Sequence, residues 1–322
     1  EMKVLITGGW GFLGGRLAKT LISRGDHKVL LGSREEKGGS PQWLPEAEVV
    51  QTTWKSVVNL RAVCRDIDVV LHLAAMNARD CIISPSAASE FNVIATEHLL
   101  SAAVNAGVKR FIYLSTAHVY GTPISGIITE ESPTVPIGPY ANSKLSGETA
   151  VRLAHEQEDI EGMVVRLSNS YGVPAHNQAD CWMLLVNDLC RKAVSTKRMI
   201  IHSSGLQRRD FIPLADACSI LADLVSLPTS RMGNGVFNLG GGWSPTVLEM
   251  TELLRQRLHL VTGRWADIRR EVEGSTKIST SLDYQMNNLL AAGLRVGAGQ
   301  NINPEIDNLI RFCISHVSES SM

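Results

Sequence analysis

A glycine-rich segment near the start of the chain limits the possible folds more than any other feature. Residues 4–7 are apolar or β-favouring and predict a short buried strand. Three glycines follow at intervals of three residues, and leucines then recur on one face of a predicted helix that ends at Gly25. A tight glycine turn lets a pyrophosphate approach the backbone, and the helix N-terminus offers it free N–H groups. The segment therefore predicts a dinucleotide site formed by Gly8, Gly11, Phe12, Leu13 and Gly14.

The composition is that of an ordinary globular protein. Its 322 residues suffice for one large domain or two unequal lobes. The formal net charge of -1 gives no reason to expect nucleic acid or an anionic membrane surface as partner. No stretch approaches the about 20 apolar residues of a membrane span, and no signal peptide is expected. The six cysteines and nine histidines lack metal-ligand spacing, so we expect no metal site and free thiols in a reducing cytoplasm.

The second predicted strand, residues 27–31, leads into the position where a dinucleotide fold recognises the adenosine ribose. An acidic residue there binds the 2′-hydroxyl of NAD and repels the 2′-phosphate of NADP. Gly32 replaces that acid, and Ser33 and Arg34 follow it. A hydroxyl and a guanidinium suit a phosphate group, so the sequence favours NADP, with NAD as the alternative. The other interpretation of Arg34 is an ordinary solvated arginine.

Strands and helices alternate through the first half of the chain. Predicted strands cover 48–53, 68–73 and 108–114, and predicted helices cover 56–65 and 90–106. This alternation predicts a parallel sheet with helices on both faces, whose ligands bind beyond the carboxyl ends of the strands. Small residues after one such strand allow the backbone to pass close to a cofactor, which adds Leu73, Ala74 and Ala75 to the predicted cofactor contacts.

The sequence therefore predicts an α/β fold with a doubly wound, parallel sheet of the Rossmann type and a smaller lobe. Residues 1–172 are expected to form the dinucleotide-binding domain. Residues 206–240 are expected to return to it through a strand at 236–239. The alternation then weakens, and residues 173–322 predict a mostly helical C-terminal lobe that binds the substrate.

Apolar residues at helical spacing predict the elements of this lobe. Helices are expected at 182–193 and 213–227, and further helices close the lobe from residue 281 onward. Ser244, which stands directly before a proline, is predicted as the N-cap of a helix that ends at Leu260.

A tyrosine and a lysine four residues apart supply the candidate chemistry. In the predicted helix 143–152 and the turn before it, Tyr140 and Lys144 lie on one face, a single turn apart. A free tyrosine has a pKa of about 10, and a neighbouring ammonium stabilises its phenolate. Thr116, at the end of strand 108–114, is placed to donate a hydrogen bond to a carbonyl oxygen as charge develops on it. The alternative is a surface Tyr–Lys pair without a catalytic role.

Together these motifs resemble the extended short-chain dehydrogenase/reductases, the NAD-dependent epimerase/dehydratase group. The resemblance covers nearly the whole chain and also includes residues 71–75, Asn92, 115–121, 166–172 and 207–212.

The resemblance implies a role for each matching residue. Tyr140 would be the general acid/base, and Lys144 would hold the nicotinamide ribose and lower the pKa of Tyr140. Thr116 would hydrogen-bond the reacting sugar oxygen. Asn169 and Arg209 match positions that contact the diphosphate of a nucleotide sugar, although Arg209 has a salt bridge with the neighbouring aspartate as its alternative.

The residues beside Thr116 distinguish the reactions within this family. Relatives that eliminate water resemble one another in an Asp-Glu pair directly after this threonine, where this chain has Ala117 and His118. Dehydration and decarboxylation are therefore not expected. We count Ala117 and His118, together with His176 in a loop expected to face the sugar, as candidate substrate contacts.

Hydride transfer at one sugar carbon is the remaining chemistry. The favoured interpretation is NADPH-dependent reduction of a 4-keto(-6-deoxy) sugar nucleotide. The alternatives are a nucleotide-sugar 4-epimerase with tightly bound NAD, the same chemistry on a steroid, phenolic or lactone, and a non-catalytic NADP-binding sensor or partner protein. The resemblance further implies a homodimer that forms through two helices.

Overall fold

The centre of the fold is a parallel β-sheet. A computed structural model describes residues 1–25, 27–35, 39–272 and 280–317, and in these ranges seven strands form the sheet in the order β11-β7-β5-β4-β1-β2-β3. The strands are β1 (Met2–Thr7), β2 (His27–Ser33), β3 (Glu48–Gln51), β4 (Val69–His72), β5 (Arg110–Thr116), β6 (Gly126–Ile128), β7 (Glu161–Leu167), β8 (Asn169–Tyr171), β9 (Arg198–Ile201), β10 (Phe211–Pro213), β11 (Val236–Leu239), β12 (Asp267–Arg270) and β13 (Leu282–Tyr284).

Helices connect these strands and cover both faces of the sheet. They are α1 (Phe12–Arg24), α2 (Val57–Val63), α3 (Ala78–Ile83), α4 (Pro85–Ala88), α5 (Ala95–Ala106), α6 (Gly138–Glu156), α7 (Leu185–Thr196), α8 (Leu214–Val225), α9 (Val247–Thr262), α10 (Asn287–Ala291) and α11 (Ile302–Val317). A π-helical turn spans Ser89–Ile94, and 3-10 turns span Ala117–Tyr120 and Thr229–Arg231.

The two faces of the sheet are buried in two separate apolar clusters. On one face, Val4 and Ile6 pack with residues of α1 and α8. On the other, Leu5 and Val70 pack with residues of α2, α5 and α6. Alternate residues of one strand thus meet opposite layers of helices, as a doubly wound sheet requires. The predicted fold class is confirmed.

The sheet brings the polar ends of four strands to one edge. Thr7 pairs in register with Gly32 of β2 and with His72 of β4, and His72 pairs with Tyr113 of β5, three residues before Thr116. Because all these strands are parallel, their carboxyl ends form one continuous rim. This rim carries the glycine-rich loop and Thr116.

The C-terminal part of the chain is divided between the main sheet and a second apolar cluster. Strand β11 pairs in parallel with β7 and so extends the main sheet, as predicted for 236–239. Helices α7, α9 and α11 pack together around Met250, Leu254 and Ile306. Strands β9 and β12 form a separate parallel pair beside them. The predicted division at residue 172 stays a prediction, and residues 318–322 lie outside the described ranges.

Several predicted boundaries differ from the structure. The helix predicted to begin at Ser244 begins at Val247, and its N-cap is Thr246, which forms a capping box with Glu249. The segment predicted as one helix over 90–106 starts as a π-helical turn and becomes α-helical only at Ala95. The helix that carries Tyr140 begins at Gly138, five residues earlier than predicted.

The described ranges contain no helix long and apolar enough to cross a membrane. They contain no cluster of three or more histidine, cysteine or acidic side chains arranged to hold a metal ion. The cysteines are all free and buried, as predicted.

Candidate active site

The glycine-rich loop forms a tight turn at the start of α1. Gly8 has a φ of +68°, and its carbonyl accepts a hydrogen bond from the Gly11 amide at 2.9 Å. A Cβ on Gly14 would lie 2.3 Å from the Gly8 oxygen, so only glycine fits where the helix crosses the strand. No side chain caps α1, which leaves the N–H groups of its first turn, at Phe12 and Leu13, directed at the rim. The side chains of Phe12 and Leu13 pack in the core.

The segment after β4 lies directly against this loop. A Cβ on Gly8 would be 2.9 Å from the Ala74 amide nitrogen. The amides of Leu73 and Ala74 donate hydrogen bonds to Thr7 Oγ1 at 3.1 and 3.3 Å. Ala75 is exposed at the rim. The structure therefore brings the two predicted groups of cofactor contacts together.

The end of β2 carries the residues expected at the adenosine ribose. Ser33 is buried, and its hydroxyl accepts a hydrogen bond from the Glu35 amide at 3.2 Å. The Arg34 guanidinium lies 5.9 Å from the centre of the Phe91 ring. Among the described residues it makes no ion pair, so its charge is available to an anion at this end of the rim.

Tyr140 meets Thr116 at the middle of the rim. The hydroxyl of Tyr140, in the first turn of α6, lies close enough to that of Thr116, the last residue of β5, for the two groups to interact. Burial raises the pKa of Tyr140 to about 12, and the hydrogen bond from Thr116 opposes that shift. In this state of the protein Tyr140 is therefore a protonated phenol, able to donate its proton.

Lys144 lies one turn further along α6, where it is buried. Its ammonium is 4.3 Å from the centre of the Tyr113 ring. Burial lowers the pKa of Lys144 to about 7, and the negative charge of Glu148 opposes this. No residue in the described ranges accepts a hydrogen bond from Lys144 Nζ. A buried amine without an acceptor is a strong indication of a ligand hydroxyl or anion at this point.

A buried ion pair between Glu148 and Arg166 lies next to Lys144, and the sequence patterns did not predict it. Glu148 and Arg166 have 1% and 4% of their side-chain surface exposed, and Arg166 Nη2 lies 2.7 Å from Glu148 Oε2. The hydroxyl of Ser115 also donates to the Glu148 carboxylate. The available signal was the four-residue spacing from Tyr140 to Lys144 to Glu148, which places all three side chains on one helix face.

His118 and Arg209 lie close together beside Thr116. The His118 amide donates to Thr116 Oγ1 at 3.3 Å. The pKa of His118 is lowered by burial and by the positive charge of Arg209. The Arg209 guanidinium makes no hydrogen bond or ion pair with any described residue, and the predicted alternative of a salt bridge to Asp210 is wrong. Asp210 instead accepts hydrogen bonds from Ser168 Oγ and the Gly241 amide.

The remaining predicted substrate contacts are scattered. Asn169 Nδ2 donates to the carbonyl of Asp210, the residue after Arg209, at 2.9 Å. Ala117 packs in a small apolar cluster with Tyr284. The His176 ring stacks on that of Trp43, with 4.6 Å between the ring centres, and its Nε2 lies 3.1 Å from the Trp10 carbonyl, so His176 contacts the glycine-rich loop. It is not brought to Tyr140.

The sequence between residues 4 and 240 matches the family model of the NAD dependent epimerase/dehydratase family. This match spans well over half of the chain, and the chain therefore belongs to that family. It is an enzyme of the extended short-chain dehydrogenase/reductase class, as the sequence motifs predicted.

Individual relatives agree with this assignment. A dTDP-glucose 4,6-dehydratase of Actinoplanes sp. is 30% identical over 305 residues, which cover 88% of this chain and 92% of the relative. The structure of a UDP-N-acetylglucosamine 4-epimerase from Methanobrevibacter ruminantium M1, in complex with UDP-N-acetylmuramic acid, superposes with a TM-score of 0.78. It covers 98% of this chain and 99% of its own at 23% identity, and so shows the shared fold.

A third structure contains both a nucleotide sugar and a nicotinamide dinucleotide. MoeE5, in complex with UDP-glucuronic acid and NAD, has a TM-score of 0.76 and 25% identity, with 99% of this chain and 100% of its own covered.

The residues of this chain fit a nicotinamide dinucleotide. Gly8 and Gly14 allow the loop to pack tightly against Ala74 and against the start of α1, where any Cβ would clash, and the uncapped first turn of α1 offers free N–H groups to a pyrophosphate. At the other end of the rim, Lys144 presents an ammonium that lacks an acceptor among the described residues. These two features would hold the diphosphate and the nicotinamide ribose respectively.

Proposed function

We propose that the protein reduces the ketone of a 4-keto(-6-deoxy) sugar nucleotide with NADPH. The observation that carries this proposal is the contact between the Thr116 and Tyr140 hydroxyl groups next to the Lys144 amine, for which no described residue is a hydrogen-bond acceptor. A phenol and a hydroxyl side by side at the rim form a site for one carbonyl oxygen.

The residues of the chain have distinct tasks in this reaction. Tyr140 donates its proton to the carbonyl oxygen as that oxygen becomes an alkoxide, and Thr116 orients the same oxygen. Lys144 binds the nicotinamide ribose, and its positive charge stabilises the phenolate left on Tyr140. When bound, the reduced nicotinamide supplies the hydride.

The preference for NADPH rests on the end of β2. Gly32 leaves no carboxylate to repel a 2′-phosphate, and a Cβ there would lie 3.1 Å from Thr52. The Arg34 guanidinium makes no ion pair within the described residues and suits a phosphate by charge and by geometry. An exchangeable reduced cofactor fits a net reduction.

The preference for a nucleotide sugar rests on Arg209 and Asn169. The Arg209 guanidinium is largely buried and has no anionic partner in the described ranges. Asn169 donates a hydrogen bond to the carbonyl of Asp210, the next residue in the chain. A diphosphate would supply the missing counter-charge. MoeE5 binds UDP-glucuronic acid, which is consistent with a substrate of this class.

The chain differs from the 4,6-dehydratases that it resembles at the residues after Thr116. Ala117 has no ionisable group and its methyl is buried against Tyr284, so the Asp-Glu pair expected for water elimination has no equivalent. This difference supports hydride transfer without elimination.

A nucleotide-sugar 4-epimerase is the second candidate. It is favoured by the 4-epimerase of the same fold and by a family whose cofactor is NAD. The same Thr116, Tyr140 and Lys144 would serve it, because epimerisation at C4 passes through the ketone that a reductase takes as substrate.

Two assays separate these functions. A reductase consumes one equivalent of NADPH per 4-keto sugar nucleotide and gives the alcohol, followed by the loss of NADPH absorbance. An epimerase interconverts two C4 epimers of a UDP-sugar with no net consumption of cofactor. Binding of NADPH without turnover in either assay would reject both and favour a non-catalytic sensor on the same fold.

We also propose that two copies associate through α3 and α6. Ile82 and Ile83 on α3 and Leu153 on α6 are exposed apolar side chains on helices that pack together. Sedimentation at equilibrium as a monomer would reject the dimer.

A further inference from the structure

A chain of buried hydrogen bonds starts at the strand that leads into the glycine-rich loop. Thr7 Oγ1, at the end of β1, lies 2.7 Å from Nδ1 of His72. Nε2 of the same ring lies 2.8 Å from Thr96 Oγ1, in the first turn of α5. All three side chains are at most 1% exposed. His72 therefore bridges β1 to α5 through the interior of the protein.

The other bonds at the two threonines fix the direction of this bridge. Thr96 Oγ1 donates its proton to the Asn92 carbonyl at 2.8 Å, so it can only accept from the imidazole. His72 Nε2 must therefore carry a proton. Thr7 Oγ1 accepts hydrogen bonds from the Leu73 and Ala74 amides, so its own proton can be donated to His72 Nδ1. The geometry thus requires one neutral tautomer, with the proton on Nε2.

The chain continues from Asn92 to the helix of Tyr140. Asn92 Nδ2 donates to Ser143 Oγ at 3.0 Å, and Ser143 Oγ donates to the Tyr140 carbonyl at 2.8 Å. The Asn92 side chain also accepts the Met76 amide at 2.7 Å. Asn92 lies in the π-helical turn, which directs its amide toward α6.

The surroundings of His72 oppose a charged ring. The rings of Trp54, Phe111 and Tyr113 each lie 5.8 Å from it, and Lys144 is on the far side of Tyr113. Burial, together with the charge of Lys144, lowers the pKa of His72 to about 3. Both effects favour the neutral imidazole, so its role is that of a fixed donor and acceptor.

We propose that His72 is a positioning residue for the reaction. As a neutral imidazole it couples the end of β1, where the glycine-rich loop starts, through Thr96 and Asn92 to the first turn of α6, and so sets the position of Tyr140 relative to the cofactor. This inference rests on the proposed function, in which Tyr140 is the proton donor.

The tautomer is tested first, on the wild-type protein and without any substrate. Nitrogen NMR of the histidine-labelled chain, with the His72 signals identified by their absence in His72→Gln, should show a proton on Nε2 and a bare Nδ1. The pattern should stay constant from about pH 5 to pH 8, where an ordinary histidine titrates. A proton on Nδ1, or a doubly protonated ring within this range, would overturn the proposal.

A pair of matched variants tests the positioning. Thr96→Val removes the link between His72 and Asn92. Thr251→Val is the control, because Thr251 is also buried and also donates to the carbonyl four residues earlier, at 2.7 Å, but lies in α9. Thr96→Val should lower kcat about tenfold or more, because the reaction rate falls steeply when the reacting groups are misplaced. The Kd for NADPH should stay unchanged within about twofold. Thr96→Ser should restore kcat.

Equal kcat values in Thr96→Val and Thr251→Val would overturn the proposal, because both then report only lost helix stability. A wild-type protein without turnover rejects the proposed function instead. In that case the NMR result alone decides whether His72 forms the predicted bridge.

Discussion

Glu148, one helical turn after Lys144, forms a buried ion pair with Arg166, whose Nε lies 3.1 Å from both carboxylate oxygens. The carboxylate belongs to the same face of α6 as Tyr140 and Lys144, and the guanidinium comes from β7. Arg166 also donates to the Tyr120 hydroxyl at 2.8 Å. The pair therefore joins α6, the helix that carries Tyr140 and Lys144, to strand β7 of the sheet.

Loss of the Glu148 charge should be costly. Glu148→Gln leaves the Arg166 guanidinium buried without a counter-charge, and we expect the free energy of unfolding to fall by about 3 kcal/mol. The control is Glu156→Gln, in the exposed pair that Arg152 and Glu156 form at 3.9 Å on the same helix, which should change stability by less than about 0.5 kcal/mol. Urea denaturation of both variants gives the comparison. Equal decreases in the free energy of unfolding in the two variants would show that burial of the Glu148–Arg166 pair does not increase its contribution to stability.

The buried lysine predicts a dependence of stability on pH. Its pKa of about 7 in the folded chain lies well below the ordinary value, so between about pH 7 and 9 the unfolded chain holds more protons at Lys144. Stability should therefore rise with pH over this range, by about 1–2 kcal/mol. Above about pH 9 the cysteines act in the opposite direction, because burial raises the pKa of thiols such as Cys64 and the unfolded chain loses those protons first.

Lys144→Met should remove this rise and make the ligand-free protein more stable at pH 7, while turnover is lost. Lys55→Met is the matched control and should keep the wild-type slope, because Lys55 is exposed and the pKa of its amine is raised by its hydrogen bond to Glu90. Urea denaturation at three pH values measures the slopes. An unchanged slope in Lys144→Met would mean that the amine is solvated in the folded protein.

The local parts of the site could be predicted from the sequence. The glycine spacing lies within one turn and the Tyr140–Lys144 spacing within one helix. The geometry of each therefore follows from the local backbone. The Thr246 capping box was equally readable, since a threonine three residues before a glutamate is its signature. The predicted N-cap, Ser244, is not the start of the helix. Its carbonyl accepts a hydrogen bond from the Arg208 guanidinium, and the chain becomes helical only at Val247.

The long-range parts could not be predicted in this way. Arg166 reaches Glu148 only because α6 packs across β7. His176 was expected to face the sugar, but Trp43, from the loop before β3, folds back and stacks on its ring. Nothing in the spacing of residues 43 and 176 indicates that contact. Such pairs depend on how elements pack, which a pattern within one segment does not contain.

Replacement of the tyrosine hydroxyl tests the assigned acid. Tyr140→Phe removes the proton donor and should lower kcat by at least about a hundredfold, with the Kd for NADPH unchanged within about twofold. Tyr171→Phe is the control. The Tyr171 hydroxyl is buried and has no hydrogen-bond partner among the described residues, so its removal should raise stability by up to about 1 kcal/mol and leave kcat unchanged. Full activity in Tyr140→Phe would reject the proposed mechanism.

The proposed preference for NADPH depends on the Arg34 guanidinium. If Arg34 binds the 2′-phosphate of NADPH, Arg34→Gln should weaken NADPH binding about tenfold and leave NADH binding unchanged, because only NADPH carries that group. Arg61→Gln, an exposed arginine on α2, should change neither Kd and controls for the loss of overall charge. Fluorescence titration measures both constants. Tighter binding of NADH than NADPH by the wild type, or equal weakening of both by Arg34→Gln, would instead favour the epimerase, since a retained NAD needs no contact that distinguishes the two cofactors.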